Sequence, residues 1–114
     1  MTNHRSTKQK TQSKNDVLVT RNLTKVRQIL MQDHVNDKDN EKCFGIVGTD
    51  CQGLKAHFEE LMFKDHQFSW DNYQHIWDIG FHISPHRVQM YNPIQKGMAF
   101  NYTNMYIKPK VSAI

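Results

Sequence analysis

Apolar positions in the first part of the chain recur at helical spacing. Leu23, Val26, Ile29 and Leu30 fall at i, i+3, i+6 and i+7, which predicts an amphipathic helix over residues 17–35. Arg21, Lys25 and Arg27 fill its polar positions. Upstream, residues 2–15 contain no apolar side chain, and a disordered tail is expected over 1–16. Downstream, the Asn, Asp, Glu and Lys run of 36–42 predicts a solvated loop.

After a short apolar run at 44–47, Thr49 or Asp50 is placed to cap a second helix. Leu54, His57, Phe58, Leu61 and Met62 give that helix one apolar face, on which His57 reads as structural. Gly53 weakens its first turn slightly. Residues 76–83 predict a strand, closed by a turn at Ser84-Pro85. Pro93 suits the first turn of a last helix over 94–102, with Asn92 as its cap and Lys108-Pro109-Lys110 beyond its end. Met98, Ala99, Tyr102 and Met105 then form one buried stripe. Seven aromatics between Phe58 and Phe81 are expected to supply much of the core, because only 38% of the 114 residues are hydrophobic. That length holds one small domain and a tail.

Charge changes this picture through its placement. The net charge is +4, yet residues 16–86 carry seven bases against eleven acids. Both ends are free of acids. Arg5, Lys8, Lys10 and Lys14 mark one end, and Arg87, Lys96, Lys108 and Lys110 the other. Phosphate is the commonest partner of such ends, so Arg5, Lys8, Lys10, Lys14, His86, Arg87, Lys108 and Lys110 are candidate nucleic-acid contacts. No strand carries the aromatic signature of the common RNA-binding folds, and charge does not choose between DNA and RNA.

Other chemistries recede. Two cysteines, Cys43 and Cys51, do not make a four-thiolate zinc site, and buried free thiols in a reducing, intracellular setting are expected. No apolar run is long enough to span a membrane, and the N-terminus lacks the apolar centre of a secretory signal. The acids of 36–42 lack the ligand order and glycine of a calcium loop. The spacing of His75, His82 and His86 matches no recognised ligand pattern.

Three motifs remain: Trp70-Asp71-Asn72-Tyr73, Trp77-Asp78-Ile79-Gly80-Phe81-His82-Ile83-Ser84-Pro85, and Tyr102-Thr103-Asn104-Met105. Together they resemble the HNH endonuclease family in the form carried by phages, large DNA viruses and mobile introns. Leu54-Lys55-Ala56-His57-Phe58-Glu59 adds to the resemblance, which covers residues 43–110. Beyond the tail over 1–16 and the amphipathic helix and loop over 17–42, it implies a ββα-metal core over 43–114, with a β-hairpin followed by a helix, and so an α+β fold overall.

An HNH site requires a neutral His as base and a divalent metal such as Mg²⁺, held by an acid beside that His and by a ligand from the helix. By resemblance, Asn104 falls on the helix ligand. The Asp-His pair is broken. Aligned without a gap from Trp77, Gly80 and Phe81 replace both groups. With one inserted residue, His82 is the base, Phe81 replaces the acid and Pro85 is kept. Asp78 is a weak substitute ligand, because in a strand it would lie about 13 Å from His82 at ~3.3 Å per residue.

Three functions follow as expectations. The first is a catalytically degenerate nucleic-acid-binding subunit of a nucleoprotein assembly, such as an organellar (mitochondrial) ribosome or a viral particle. The second is an active metal-dependent DNA endonuclease using His82, Asn104 and an unidentified carboxylate. The third is a protein-interaction module. The Lys, Asn, Met and Tyr usage suits an AT-rich viral, phage or organellar genome.

Overall fold

Four helices and a two-stranded antiparallel sheet form a small α+β fold, ordered α1 (Asn3–Met31), α2 (Asp37–Val47), α3 (Cys51–Lys64), β1 (Trp77–Phe81), α4 (Pro93–Phe100) and β2 (Met105–Pro109). The computed structural model describes the backbone of residues 3–110 and the side chains of residues 14–110. No helix among the described residues is long and apolar enough to cross a membrane.

Helix α1 buries Val19, Asn22, Val26, Ile29 and Leu30, a stripe at the period expected. Asn22 tolerates burial because its Nδ2 donates to Leu18 O at 2.8 Å. The helix starts at Asn3, upstream of the predicted position 17.

Helix α2 occupies the segment 36–42 expected as a loop, together with the apolar run 44–47. Its termini explain the difference. Asn36 and Asp39 form a capping box, Asp39 N–H donating to Asn36 Oδ1 at 2.8 Å and Asn36 N–H to Asp39 Oδ2 at 3.2 Å. Gly48 ends the helix in the left-handed region at φ 79°. A Cβ there would lie 2.7 Å from Asn101 Nδ2, so a side chain would also displace the Asn101 amide. Only Cys43 and Val47 need be buried for this helix to dock.

Asp50 caps α3 as predicted, accepting from Gly53 N–H at 2.7 Å. Helix α3 buries Cys51, Leu54 and Phe58. Around Phe58 gather Trp70, Tyr73 and Trp77, with ring centroids 4.6 Å apart for Tyr73–Trp77 and 5.7 Å for Phe58–Trp77. Trp77 reaches Ser69 O through its indole N–H at 2.8 Å. Of the seven aromatics expected in the core, Phe63 is exposed and the other six are buried or half-buried.

The sheet pairs Trp77 with Pro109, Ile79 with Ile107 and Phe81 with Met105. His82 N–H donates to Asn104 O at one end, and Lys110 N–H to Ile76 O at the other, prolonging the ladder. Trp77, Ile79 and Met105 are buried, and Phe81 packs on Phe100 at 5.3 Å. Asp78, Gly80 and His82 alternate onto the opposite side.

Helix α4 has the predicted Asn92 cap, which accepts from Ile94 and Gln95 N–H. It stops at Phe100, and the sequence expected to end a helix instead forms β2. The expected order, a β-hairpin followed by a helix, is therefore not the order found. Helix α4 lies between the two strands.

Candidate functional site

The motif segments 77–85 and 102–105 meet where β1 ends and β2 begins. Asn104, expected on a helix, stands in the 3-10 turn Tyr102–Asn104 that leads into β2. Its amide is fully engaged. Nδ2 donates to Ile83 O at 3.0 Å and to Ala99 O at 2.7 Å, while Oδ1 accepts from Ile83 N–H at 3.0 Å. This set of bonds ties the loop after β1 to the end of α4.

His82 is the immediate neighbour of this junction, through its N–H bond of 2.9 Å to Asn104 O. Its imidazole is exposed and stacks on Tyr106, with centroids 4.8 Å apart. Tyr106 is drawn over the sheet because Gly80, directly opposite, has no side chain. A Cβ at Gly80 would lie 2.6 Å from the Tyr106 ring.

Asp78 lies elsewhere. Its Oδ2 accepts from Arg27 Nη2 of α1 at 2.6 Å, and its Oδ1 from Ile79 N–H at 2.8 Å. The structure thus brings His82 and Asn104 together and leaves Asp78 in an ion pair. Phe81, beside His82, turns its ring onto Phe100. Among the described residues, no three His, Cys, Asp or Glu side chains come together as a metal-binding group. The groups present fit a Mg²⁺ site poorly on their bonding. Asn104 Oδ1, its one atom able to ligate a cation, already accepts from Ile83 N–H, and the Asp78 carboxylate is held by a guanidinium.

Arg27 is the residue that sequence reasoning missed. It stands 51 positions from Asp78, and no local pattern marks the pair. Tyr73 lies beside it with a buried hydroxyl that has no hydrogen-bond partner among the described residues. Burial first, and then the Asp78 charge, push the Tyr73 phenol up to about 12.

The cationic candidates are dispersed. Arg5, Lys8 and Lys10 lie outside the described side chains. Lys14 is exposed on α1. Nearby, Asn15 accepts from Met90 N–H and donates to Val88 O, clamping the 85–90 segment to α1. His86 of that segment bonds Asp16 at 2.7 Å, while Arg87 is exposed and pairs with no described acid. Lys108 is exposed opposite Asp78 across the sheet. Lys110 donates through Nζ to Gln74 O, which fastens the end of β2 to a turn.

His57 is structural, as expected. Its Nε2 donates to Met105 O at 2.8 Å and holds β2 against α3. The two cysteines are fully buried free thiols with Sγ atoms 2.8 Å apart. Desolvation, and then the hydrogen bond to Cys51, push the Cys43 thiol far above its ordinary range.

Comparison with protein-family models, with curated proteins and with solved structures finds no match.

Proposed function

We propose that this chain is a nucleic-acid-binding protein on a degenerate HNH-like, ββα-metal-derived frame, acting as a structural subunit of a nucleoprotein assembly. The observation that carries this reading is the divided fate of the motif residues. His82 and Asn104 keep their adjacency at the β1–β2 junction. The carboxylate that would complete them, Asp78, is bound to Arg27, and Phe81 points into the core. Exposed Lys14, Arg87 and Lys108 supply cations for backbone phosphates.

The test is binding and cleavage measured side by side. The protein is titrated into labelled duplex DNA and duplex RNA over a range of salt, then incubated with supercoiled plasmid in Mg²⁺ or Mn²⁺. Salt-dependent binding with intact plasmid is expected. Binding that does not weaken with salt, or no binding to either duplex, overturns the proposal.

A second reading, a metal-dependent endonuclease, draws on one observation. The His82 imidazole is exposed beside Asn104 and makes no side-chain hydrogen bond among the described residues, as a base awaiting a water would. Metal-dependent nicking that disappears in His82→Ala would favour it.

A further inference from the structure

Helix α1 turns two different faces to its surroundings. One is buried through Val19, Val26 and Leu30. On the exposed face stand Lys14, Arg21 and Lys25, at i, i+7 and i+11, so a 3.6-residue period aligns them in one stripe. Residues 17–32 contain no acid, and no described acidic side chain pairs with these three cations. Asp16 borders the same face beside Arg21, but its carboxylate is paired with His86, and Asp78 is paired with Arg27. Thr20 and Thr24 add exposed hydroxyls to the same face.

At its C-terminal end the stripe runs into a groove between α1 and α2, which Lys25 and Lys42 line from opposite sides. Asp39 also lines this groove, and its carboxylate is bound to Asn36 N–H in the α2 capping box.

We propose that Lys14, Arg21, Lys25 and Lys42 form the track along which α1 lies on a nucleic-acid backbone. This deepens the nucleic-acid reading above and rests on it. From Lys14 to Lys25 the helix rises about 16 Å at ~1.5 Å per residue. That covers about five nucleotide steps of ~3.4 Å along a duplex strand. Cations spaced by one and two turns can thus meet successive phosphates, and the threonine hydroxyls supply the neutral donors that commonly join them. A membrane surface fits less well, because an interfacial helix needs a free apolar face and that of α1 is buried in the core. A protein partner fits less well too, because the stripe has no aromatic side chain to serve as an anchor.

The test compares wild type with two full-length variants of equal net charge. Arg21→Gln with Lys25→Gln removes two charges from the stripe. Lys64→Gln with Gln67→Glu lowers the charge equally at the far end of α3, on exposed side chains. Each is titrated into duplex DNA, duplex RNA and phosphatidylserine vesicles, with far-ultraviolet circular dichroism to establish folding. The stripe variant is expected to lose about tenfold or more in affinity at low salt, with a log–log salt slope shallower by about 2. The control is expected to keep the wild-type slope. Equal losses in both variants overturn the track while leaving the nucleic-acid reading intact. Failure of the wild type to bind either duplex overturns both, and binding to vesicles alone, lost in the stripe variant, replaces the track with a lipid-facing surface.

Discussion

Replacing Asn104 separates an architectural role from a metal-ligand role. In the structure the Asn104 side chain makes three hydrogen bonds, two donated and one accepted. A typical intramolecular hydrogen bond contributes about 0.5–1.5 kcal/mol net. Ile83 is 51% exposed, so water can replace the bonds to its backbone at little cost. The bond to Ala99 O is part-buried and has no such substitute. Asn104→Ala is therefore expected to lose about 2 kcal/mol, toward the middle of the range for three bonds. For a domain near 100 residues that lowers Tm by about 8–16 °C.

Asn104→Asp is the sharper perturbation. It keeps an oxygen ligand and would preserve or improve a cation site. As a latch it fails, because a carboxylate oxygen would face the carbonyls of Ile83 and Ala99 that now accept hydrogen bonds. The charged form is thus disfavoured in the folded state, and the folded pKa of the new carboxyl lies above its unfolded value of about 3.9. A group whose pKa is raised on folding stabilises below the unfolded pKa and loses that contribution as pH rises. Asn104→Asp should therefore be less stable than Asn104→Ala at neutral pH and recover toward it in mild acid. Urea denaturation at several pH values, with unchanged m, reads both effects. The latch is refuted if Asn104→Ala lies within about 0.5 kcal/mol of wild type, the usual surface range. It is equally refuted if Asn104→Asp is the more stable of the two at neutral pH.

Other residues give independent checks. Asp78→Asn is expected to cost about 1–2 kcal/mol, a figure discounted because the pair is 19% and 35% exposed, and a double-mutant cycle with Arg27→Gln should show coupling of comparable sign; additivity would remove the ion pair from the account. Tyr73→Phe is expected to be neutral or stabilising in urea melts, since the buried hydroxyl has no partner, and a loss above about 1 kcal/mol would expose a missing bond. The Tyr73 pKa is raised from 10.0 to about 12, so its contribution to stability is present below pH 10 and lost as pH rises toward 12. Alkaline unfolding should therefore shift upward in Tyr73→Phe, and an unchanged midpoint would contradict the assignment. Cys43 and Cys51, both buried, and Cys43 with its thiol pushed well above the ordinary range, should resist Ellman's reagent in the native state and react together in urea; rapid native labelling would count against the packing.

Local signals were legible where a short stretch contains its own partners. Asp50 caps α3 and Asn92-Pro93 opens α4, as their sequence predicts. Helix α2 was hidden by polarity: residues 36–42 look like a loop, and its two buried residues are too few for a visible stripe. The Asn36–Asp39 spacing and Gly48 were the stronger signals, because they satisfy both helix ends. Strand β2 was missed for another reason. Met98, Ala99, Tyr102 and Met105 fit a helical period, yet Asn101 leaves the helix at ψ 139° and accepts from Thr103 N–H, which redirects the chain. Pairing with β1 then decides the conformation of 105–109, and such a distant partner leaves no mark on local periodicity. The same limit hid the Arg27–Asp78 pair.

The alternation along β1 also shows why an acid beside His82 is not one substitution away. Trp77, Ile79 and Phe81 share the core-facing side, and Phe81 meets Phe100 at 5.3 Å. An Asp at position 81 would place its carboxylate against that aromatic ring, with Trp77 and Met105 on the same packed side. An unpaired carboxylate in such surroundings costs several kcal/mol or takes up a proton. In its neutral form it would be a poor cation ligand. Moving it to the outer side would require a bulge, which shifts His82 out of register with Asn104. Phe81 thus contributes to the core at the position beside His82, so Phe81→Asp should weaken the fold before it adds any chemistry.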